Sequence, residues 1–100
     1  MSDDHADVGS LQDVLAALSD PVRLEMVRRM YAEGGPAPCA QLYDEVSKST
    51  ASHHFKILRE AGVTNRSVIG GQTHQELRLD DVEATYPGVL SSILAARPAR

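Results

Sequence analysis

The stretch from Ser47 to Gly62 constrains this chain more than any other feature of its sequence. Ala51, Phe55 and Leu58 recur at i, i+4 and i+7, which is the spacing of a helix with one buried face. Ser47 is predicted to cap the start of this helix, and Gly62 to close its end in a left-handed conformation. The spacing alone fits an ordinary amphipathic surface helix equally well, so the polar face and the flanking segments must decide its role.

The polar face of this helix has the composition that a helix entering a DNA major groove needs. Small hydroxyl side chains let the backbone approach the bases, and lysines reach guanine edges or phosphates. No carboxylate appears in the stretch before Glu60. The residues that project from this face are Lys48, Ser49, Ser52, His53 and Lys56.

A chain of 100 residues is long enough for one small domain with a modest core. A hydrophobic content of 42% with 24% charged residues is ordinary for a globular protein. No apolar run approaches the length of a membrane span, and the acidic start lacks the order of a signal peptide. A single cysteine, Cys39, excludes an intramolecular disulfide framework. We therefore expect a cytoplasmic protein with no membrane partner.

The charge of the chain is unevenly distributed. The formal net charge is −4, which by itself disfavours a nucleic-acid partner. Residues 46–79, however, hold five lysines or arginines against two glutamates, a net charge of +3, and the remainder carries −7. An acidic body with a basic strip would orient the protein on DNA.

Three helices are predicted before the opening stretch. The first has an apolar stripe, and the second begins with Asp20 as its cap and Pro21 at its first position. The third is a short helix over 38–44 with Cys39 and Leu42 facing inward. The stripe of the first helix is Leu11, Val14, Leu15 and Leu18; the buried face of the second is Val22, Leu24, Met26, Val27, Met30 and Tyr31.

After the opening stretch, the spacing becomes extended. Runs at 65–69 and 73–79 flank the Gly70–Gly71 pair and predict a β-hairpin in which Leu77 and Leu79 share one face. The predicted fold class is mainly α with a small β-hairpin, a winged helix-turn-helix with extra terminal helices. A short helical turn is expected from Asp80, followed by a last helix with the apolar residues Val89, Leu90, Ile93 and Leu94.

The stripes of the first and last helices predict a dimer interface. A two-fold dimer would present two recognition helices to half-sites about 34 Å apart. The alternative is that both stripes pack on the core of their own chain. We expect a flexible acidic leader over 1–9, the domain over 10–96 and a frayed tail over 97–100.

The sequence resembles the ArsR/SmtB family of bacterial repressors in two segments, residues 17–24 (ALSDPVRL) and 47–63 (SKSTASHHFKILREAGV). In that family the first segment opens the second helix and the second segment is the DNA-reading helix. The likeness spans about residues 11–95. It implies a homodimeric repressor that binds an inverted-repeat operator and is released when an effector binds.

The resemblance also implies which residues contact DNA. The major-groove set is Lys48, Ser49, Ser52, His53 and Lys56; the helix-start and phosphate set is Ser47 and Thr50; the wing set is Arg66, Gln72, Thr73 and His74. The wing set is equally compatible with a solvated hairpin tip. His54 and Phe55 are expected to face inward, and Arg59 to pair with a phosphate or with an acidic neighbour.

The metal sites of this family do not match the sequence. A Cys-x-Cys pair before the recognition helix would fall on Pro36 and Pro38, or on Pro38 and Ala40. Another family site needs a histidine on the last helix, and Val82 to Leu94 contains none. We therefore expect no metal and no cofactor.

Two alternatives stay open. A non-standard metal or redox site would use Cys39, or His74 with Asp80 or Asp81, although Cys39 is more typical of a small buried hydrophobe. The other alternative is a protein-interaction module, in which the DNA-reading helix no longer binds DNA. An enzyme is not expected, because no nucleophile, base and orienting group occur at a suitable spacing.

Overall fold

Five helices and a three-stranded antiparallel sheet make up residues 7–96, the part of the chain that this computed structural model describes. The helices are α1 (Leu11–Leu18), α2 (Pro21–Glu33), α3 (Lys48–Glu60), α4 (Leu79–Thr85) and α5 (Val89–Ala95). The strands are β1 (Ala37–Pro38), β2 (Thr64–Ile69) and β3 (Gln72–Leu77), in the spatial order β1, β3, β2. The winged helix-turn-helix prediction is confirmed.

The predicted cap of α2 is confirmed. The Asp20 carboxylate accepts hydrogen bonds from the backbone N–H groups of Val22 at 2.8 Å and Arg23 at 3.2 Å, and Pro21 takes the first helical position. Burial raises the pKa of Asp20, but these N–H donors outweigh it and lower the pKa below its usual value. At the other end, Gly34 closes α2 with φ of 74°.

The helix predicted over 38–44 is wrong. Ala37 and Pro38 instead form β1, which pairs with β3 opposite Gln75 and His74, and a single 3₁₀ turn follows over Cys39–Gln41. A proline holds the residue before it in an extended conformation, and a proline is tolerated on an edge strand. The free edge of β3 supplies the pairing that makes this conformation favourable. Leu42 is buried as predicted.

The wing forms as predicted around its glycine pair. Gly70 and Gly71 have φ of 60° and 78°, the two positive values that a type I′ hairpin turn requires. Ile69 lies opposite Gln72, so the two strands pair without a bulge at the turn. Leu79 begins α4 and does not extend β3, which corrects the predicted end of the second strand.

The core lies between the first three helices, the inner end of the sheet and the two last helices. Tyr31, predicted to be buried, is 53% exposed. The largest fully buried side chains are Met26, Met30, Leu42, Leu58, Leu90, Gln75, Val14, Val27, Val63 and Val82. Ala51, Phe55 and Leu58 form the buried face of α3, as its spacing predicts.

The predicted dimer-interface residues divide into two groups. Val14, Leu18 and Leu90 are buried, so these three side chains pack on the core of their own chain. Leu11 is 37% exposed and Leu15 is 44% exposed. The other three predicted positions, Val89, Ile93 and Leu94, are half-buried.

Residues 7–9 lie against the body of the domain. The Gly9 N–H donates to the Ala61 carbonyl at 2.9 Å, and the Tyr86 hydroxyl donates to the Gly9 carbonyl at 2.7 Å. These three residues belong to the predicted leader. The rest of that leader, 1–6, and the predicted tail, 97–100, lie outside the described residues.

Candidate nucleic-acid interface

The start of α3 is held by a cluster of hydroxyl groups. The Ser47 Oγ accepts a hydrogen bond from the Thr50 N–H at 3.1 Å, which satisfies one free donor of the first turn. Ser47 also donates to the Thr50 hydroxyl at 3.0 Å and lies 3.2 Å from the Ser49 hydroxyl. The predicted N-cap is confirmed, and the cluster fixes the position where α3 begins.

The polar face of α3 is presented to solvent along its whole length. Its five residues, Lys48, Ser49, Ser52, His53 and Lys56, are all exposed. On the opposite side Phe55 packs edge to face with Tyr43, with ring centroids 6.2 Å apart. Lys56 lies 3.9 Å from Glu60, but both side chains are well exposed, so this ion pair holds the lysine only weakly.

A cationic groove separates α3 from the wing. Its volume is about 710 Å³, and four positively charged side chains line it. These are Lys48, Lys56, Arg59 and Arg66. None of its lining residues within 7–96 is acidic. The groove therefore has the charge and the open shape that suit a phosphate backbone.

The wing residues predicted to contact DNA do not all reach this groove. Arg66, Gln72 and Thr73 line it together with α3. Side chains alternate between the faces of a strand, so His74 lies on the opposite face from Thr73 and Gln75. The His74 Nδ1 is 2.9 Å from the Gln72 carbonyl. The structure thus brings three of the four wing residues to the groove.

Sequence reasoning missed the buried amide at the base of the wing. Gln75 is 1% exposed, and its Oε1 accepts a hydrogen bond from the Thr64 hydroxyl at 3.2 Å. The bond joins β3 to β2 where the wing leaves the core. Nothing in the spacing of the sequence marks Gln75, since a glutamine in a strand is usually exposed.

Cys39 lies at the edge of the groove and is half-buried. Burial raises the pKa of its thiol, although a hydrogen bond from Gln75 and the positive charges of Arg66 and Arg59 act in the opposite direction. A raised pKa keeps the sulfur as the less reactive thiol. This disfavours the redox alternative.

One of the two acidic residues considered for a metal site, Asp81, is engaged elsewhere. The Asp81 carboxylate accepts from Arg78 at 3.1 Å. Over residues 7–96 no group of three or more histidine, cysteine or carboxylate side chains is placed to hold a metal ion. The described residues therefore give the non-standard metal site no support.

Comparison with known proteins places this geometry in a family. A helix-turn-helix domain model matches residues 18–66. The transcriptional repressor BigR from Xylella fastidiosa has a similar structure, with a TM-score of 0.62 at 23% identity, covering 87% of this chain and 88% of BigR. An ArsR family transcriptional regulator gives a TM-score of 0.65 at 19% identity, covering 87% of this chain and 98% of that one.

A relative in sequence decides the family. YceK of Bacillus subtilis, an uncharacterized HTH-type transcriptional regulator, is 35% identical over 82 residues, covering 80% of this chain and 82% of YceK. The chain belongs to the HTH-type transcriptional regulators. In this regulator α3 takes the position of the recognition helix and the hairpin that of the wing. The relatives that it matches are regulators of transcription. Within residues 7–96, no helix is both long and apolar enough to cross a membrane.

Proposed function

We propose that this regulator is a homodimeric cytoplasmic repressor that binds an inverted-repeat operator and is released from it by an effector. One observation carries the proposal: the exposed polar face of α3 adjoins a groove lined by four cations and, among its described lining residues, no carboxylate. A domain whose recognition helix no longer binds DNA would have no need to keep this surface free of acidic residues.

The docking follows from this arrangement. The α3 helix enters the major groove, where Ser52 and His53 face base edges. The wing lies along the neighbouring minor groove, and the phosphate backbone between the two runs through the cationic groove. Arg59 and Arg66 contact phosphates there, together with the ends of Lys48 and Lys56. Base contacts then supply specificity, while the groove supplies affinity that depends on salt.

The proposed dimer is supported by apolar side chains of the two terminal helices that the rest of the chain does not cover. Leu11 and Leu15 are partly exposed on α1, and Ile93 and Leu94 are only half-buried on α5. A two-fold axis through this region would cover them and place two α3 helices about 34 Å apart. The repressor role is supported by the fold shared with BigR, which is a transcriptional repressor.

Selection from random duplex DNA tests the proposal. We expect an inverted repeat whose half-site centres lie about 10 base pairs apart, bound by two chains as measured by native mass spectrometry. Recovery of no preferred sequence, or of a single half-site bound by one chain, would overturn it. Candidate effectors are then titrated against the recovered duplex. A change in affinity on adding zinc or a chelator would favour the metal-sensor alternative.

The groove is tested by the salt dependence of binding. Lys48→Ala and Lys56→Ala should each reduce the slope of log affinity against log salt by about one, because each removes one phosphate contact. Arg29→Ala is the matched control. Its guanidinium is bound to Glu25 at 3.0 Å and to Asp44 at 2.6 Å, away from the groove, so the slope should not change.

A further inference from the structure

The Arg23 side chain joins α1 and α2 to the recognition helix. Arg23 lies in the first turn of α2, and its Nε–H donates to the Ala17 carbonyl at 2.7 Å. Its Nη2 donates to the Ala16 carbonyl at 3.4 Å. Both carbonyls belong to the last turn of α1, and the Ala16 carbonyl also accepts from the Ser19 N–H at 3.2 Å and the Ser19 hydroxyl at 2.8 Å. The Nη1 of the same guanidinium lies 3.0 Å from the Nδ1 of His54 in α3.

This geometry determines the tautomer of His54. A guanidinium has five N–H donors and no acceptor, so the nitrogen that faces it must accept. Nδ1 of His54 therefore carries the lone pair, and the single proton of the neutral ring lies on Nε2. The bond is formed in the middle of α3, next to His53 and two residues from Ser52.

We propose that Arg23 is a positioning residue for DNA recognition, which holds neutral His54 as an acceptor and thereby fixes the rotation of α3 relative to α1 and α2. The inference rests on the proposed binding of DNA by α3. A recognition surface must be held close to its productive geometry by the contacts behind it. A rotation of α3 would move Ser52 and His53 together, because both lie within two residues of the bond.

Two substitutions at His54 test whether DNA recognition needs a hydrogen-bond acceptor at the position of Nδ1. In His54→Asn the Oδ1 stands the same number of bonds from the backbone as Nδ1, so it can still accept from Arg23. In His54→Gln the amide reaches the place of Nε2 instead, and the acceptor at Nδ1 is lost. We expect His54→Asn to bind the selected operator within about threefold of wild type, and His54→Gln and Arg23→Met to bind about tenfold more weakly. Thermal unfolding of each variant shows whether it is folded at the assay temperature.

Unimpaired binding of the selected operator by His54→Gln would overturn the proposal.

Nitrogen chemical shifts of the His54 ring test the same bond without DNA. We expect an unprotonated Nδ1 and a protonated Nε2 in the wild type, and a mixture of tautomers in Arg23→Met. The reverse tautomer in the wild type would overturn the proposal. If wild-type protein binds no duplex at all, the proposed function fails and the positioning role fails with it. If wild type binds and His54→Asn is as impaired as His54→Gln, only the role of Arg23 is refuted.

Discussion

Replacing Gly62 by alanine should destabilise the fold much more than the same change at Gly71. Both glycines have φ of 78°, a left-handed conformation that costs an L-residue about 1–2 kcal/mol. A Cβ added at Gly62 would lie 2.6 Å from the Asp7 carbonyl oxygen and 2.6 Å from the Val8 Cα. At Gly71 nothing lies within 4 Å of the added atom. The two variants therefore share the backbone strain and differ in the close contact.

The size of the difference follows from what the contact would displace. Moving residues 7–9 away from Gly62 would break the Gly9 N–H bond to Ala61 at 2.9 Å and the Tyr86 hydroxyl bond to Gly9 at 2.7 Å. Each such bond contributes about 0.5–1.5 kcal/mol. We expect Gly62→Ala to lower the free energy of unfolding by about 2–5 kcal/mol, and Gly71→Ala to lower it by about 1–2 kcal/mol.

Urea unfolding followed by circular dichroism measures both variants at one protein concentration. Amide hydrogen exchange adds a local readout, since the Gly9 amide should exchange much faster in Gly62→Ala. Equal loss of stability in the two variants would refute the reasoning. Normal protection of the Gly9 amide in a destabilised Gly62→Ala variant would also refute it, because it would show that the added Cβ does not displace residues 7–9.

Three further changes have defined outcomes. Leu58→Ala should cost about 2–5 kcal/mol in urea unfolding, because this α3 side chain is fully buried; a loss below about 1 kcal/mol would contradict the core described above. The backbone N–H groups of Ser91 and Gly88 donate to the Glu83 carboxylate and lower its pKa from 4.5. The ionised carboxylate therefore stabilises the fold above about pH 4.5, and this stability is lost as the pH falls through the lowered pKa. Wild type and Glu83→Gln should therefore differ in melting temperature near neutral pH and converge in acid, and a constant difference would contradict this. Leu15→Lys should weaken self-association in sedimentation velocity while leaving the circular dichroism spectrum unchanged, and an undiminished dimer would exclude this part of α1 from the interface.

The elements that sequence predicted well are those determined by local chemistry. Each of these features sets the backbone conformation of residues close to it in the chain. They are Asp20 before a proline, Ser47 before a helical spacing and Gly70–Gly71 between extended runs. The exposed face of α3 follows from helical periodicity, since the buried residues fix the opposite side. These features were sufficient to predict the order of helices and the wing.

The elements that sequence missed depend on residues far apart in the chain. β1 exists because Ala37 and Pro38 meet β3 nearly forty residues later, and no local pattern contains that pairing. Gln75 is buried because its amide meets Thr64 across the sheet. The grouping of His74 with Arg66 ignored the alternation of side chains along paired strands, which puts them on opposite faces. Predicting which wing residues reach the groove requires the strand register.

Binding of the selected operator by Ser52→Ala and His53→Ala tests the central claim, that α3 reads DNA sequence. Fluorescence anisotropy would compare the operator with a scrambled duplex, using Ser67→Ala, exposed on the wing face away from the groove, as the matched control. We predict that each α3 variant loses about five- to 150-fold in operator affinity, corresponding to about 1–3 kcal/mol, and loses little affinity for the scrambled duplex. Ser67→Ala should bind both as wild type does. Operator affinity unchanged in both α3 variants would contradict the account.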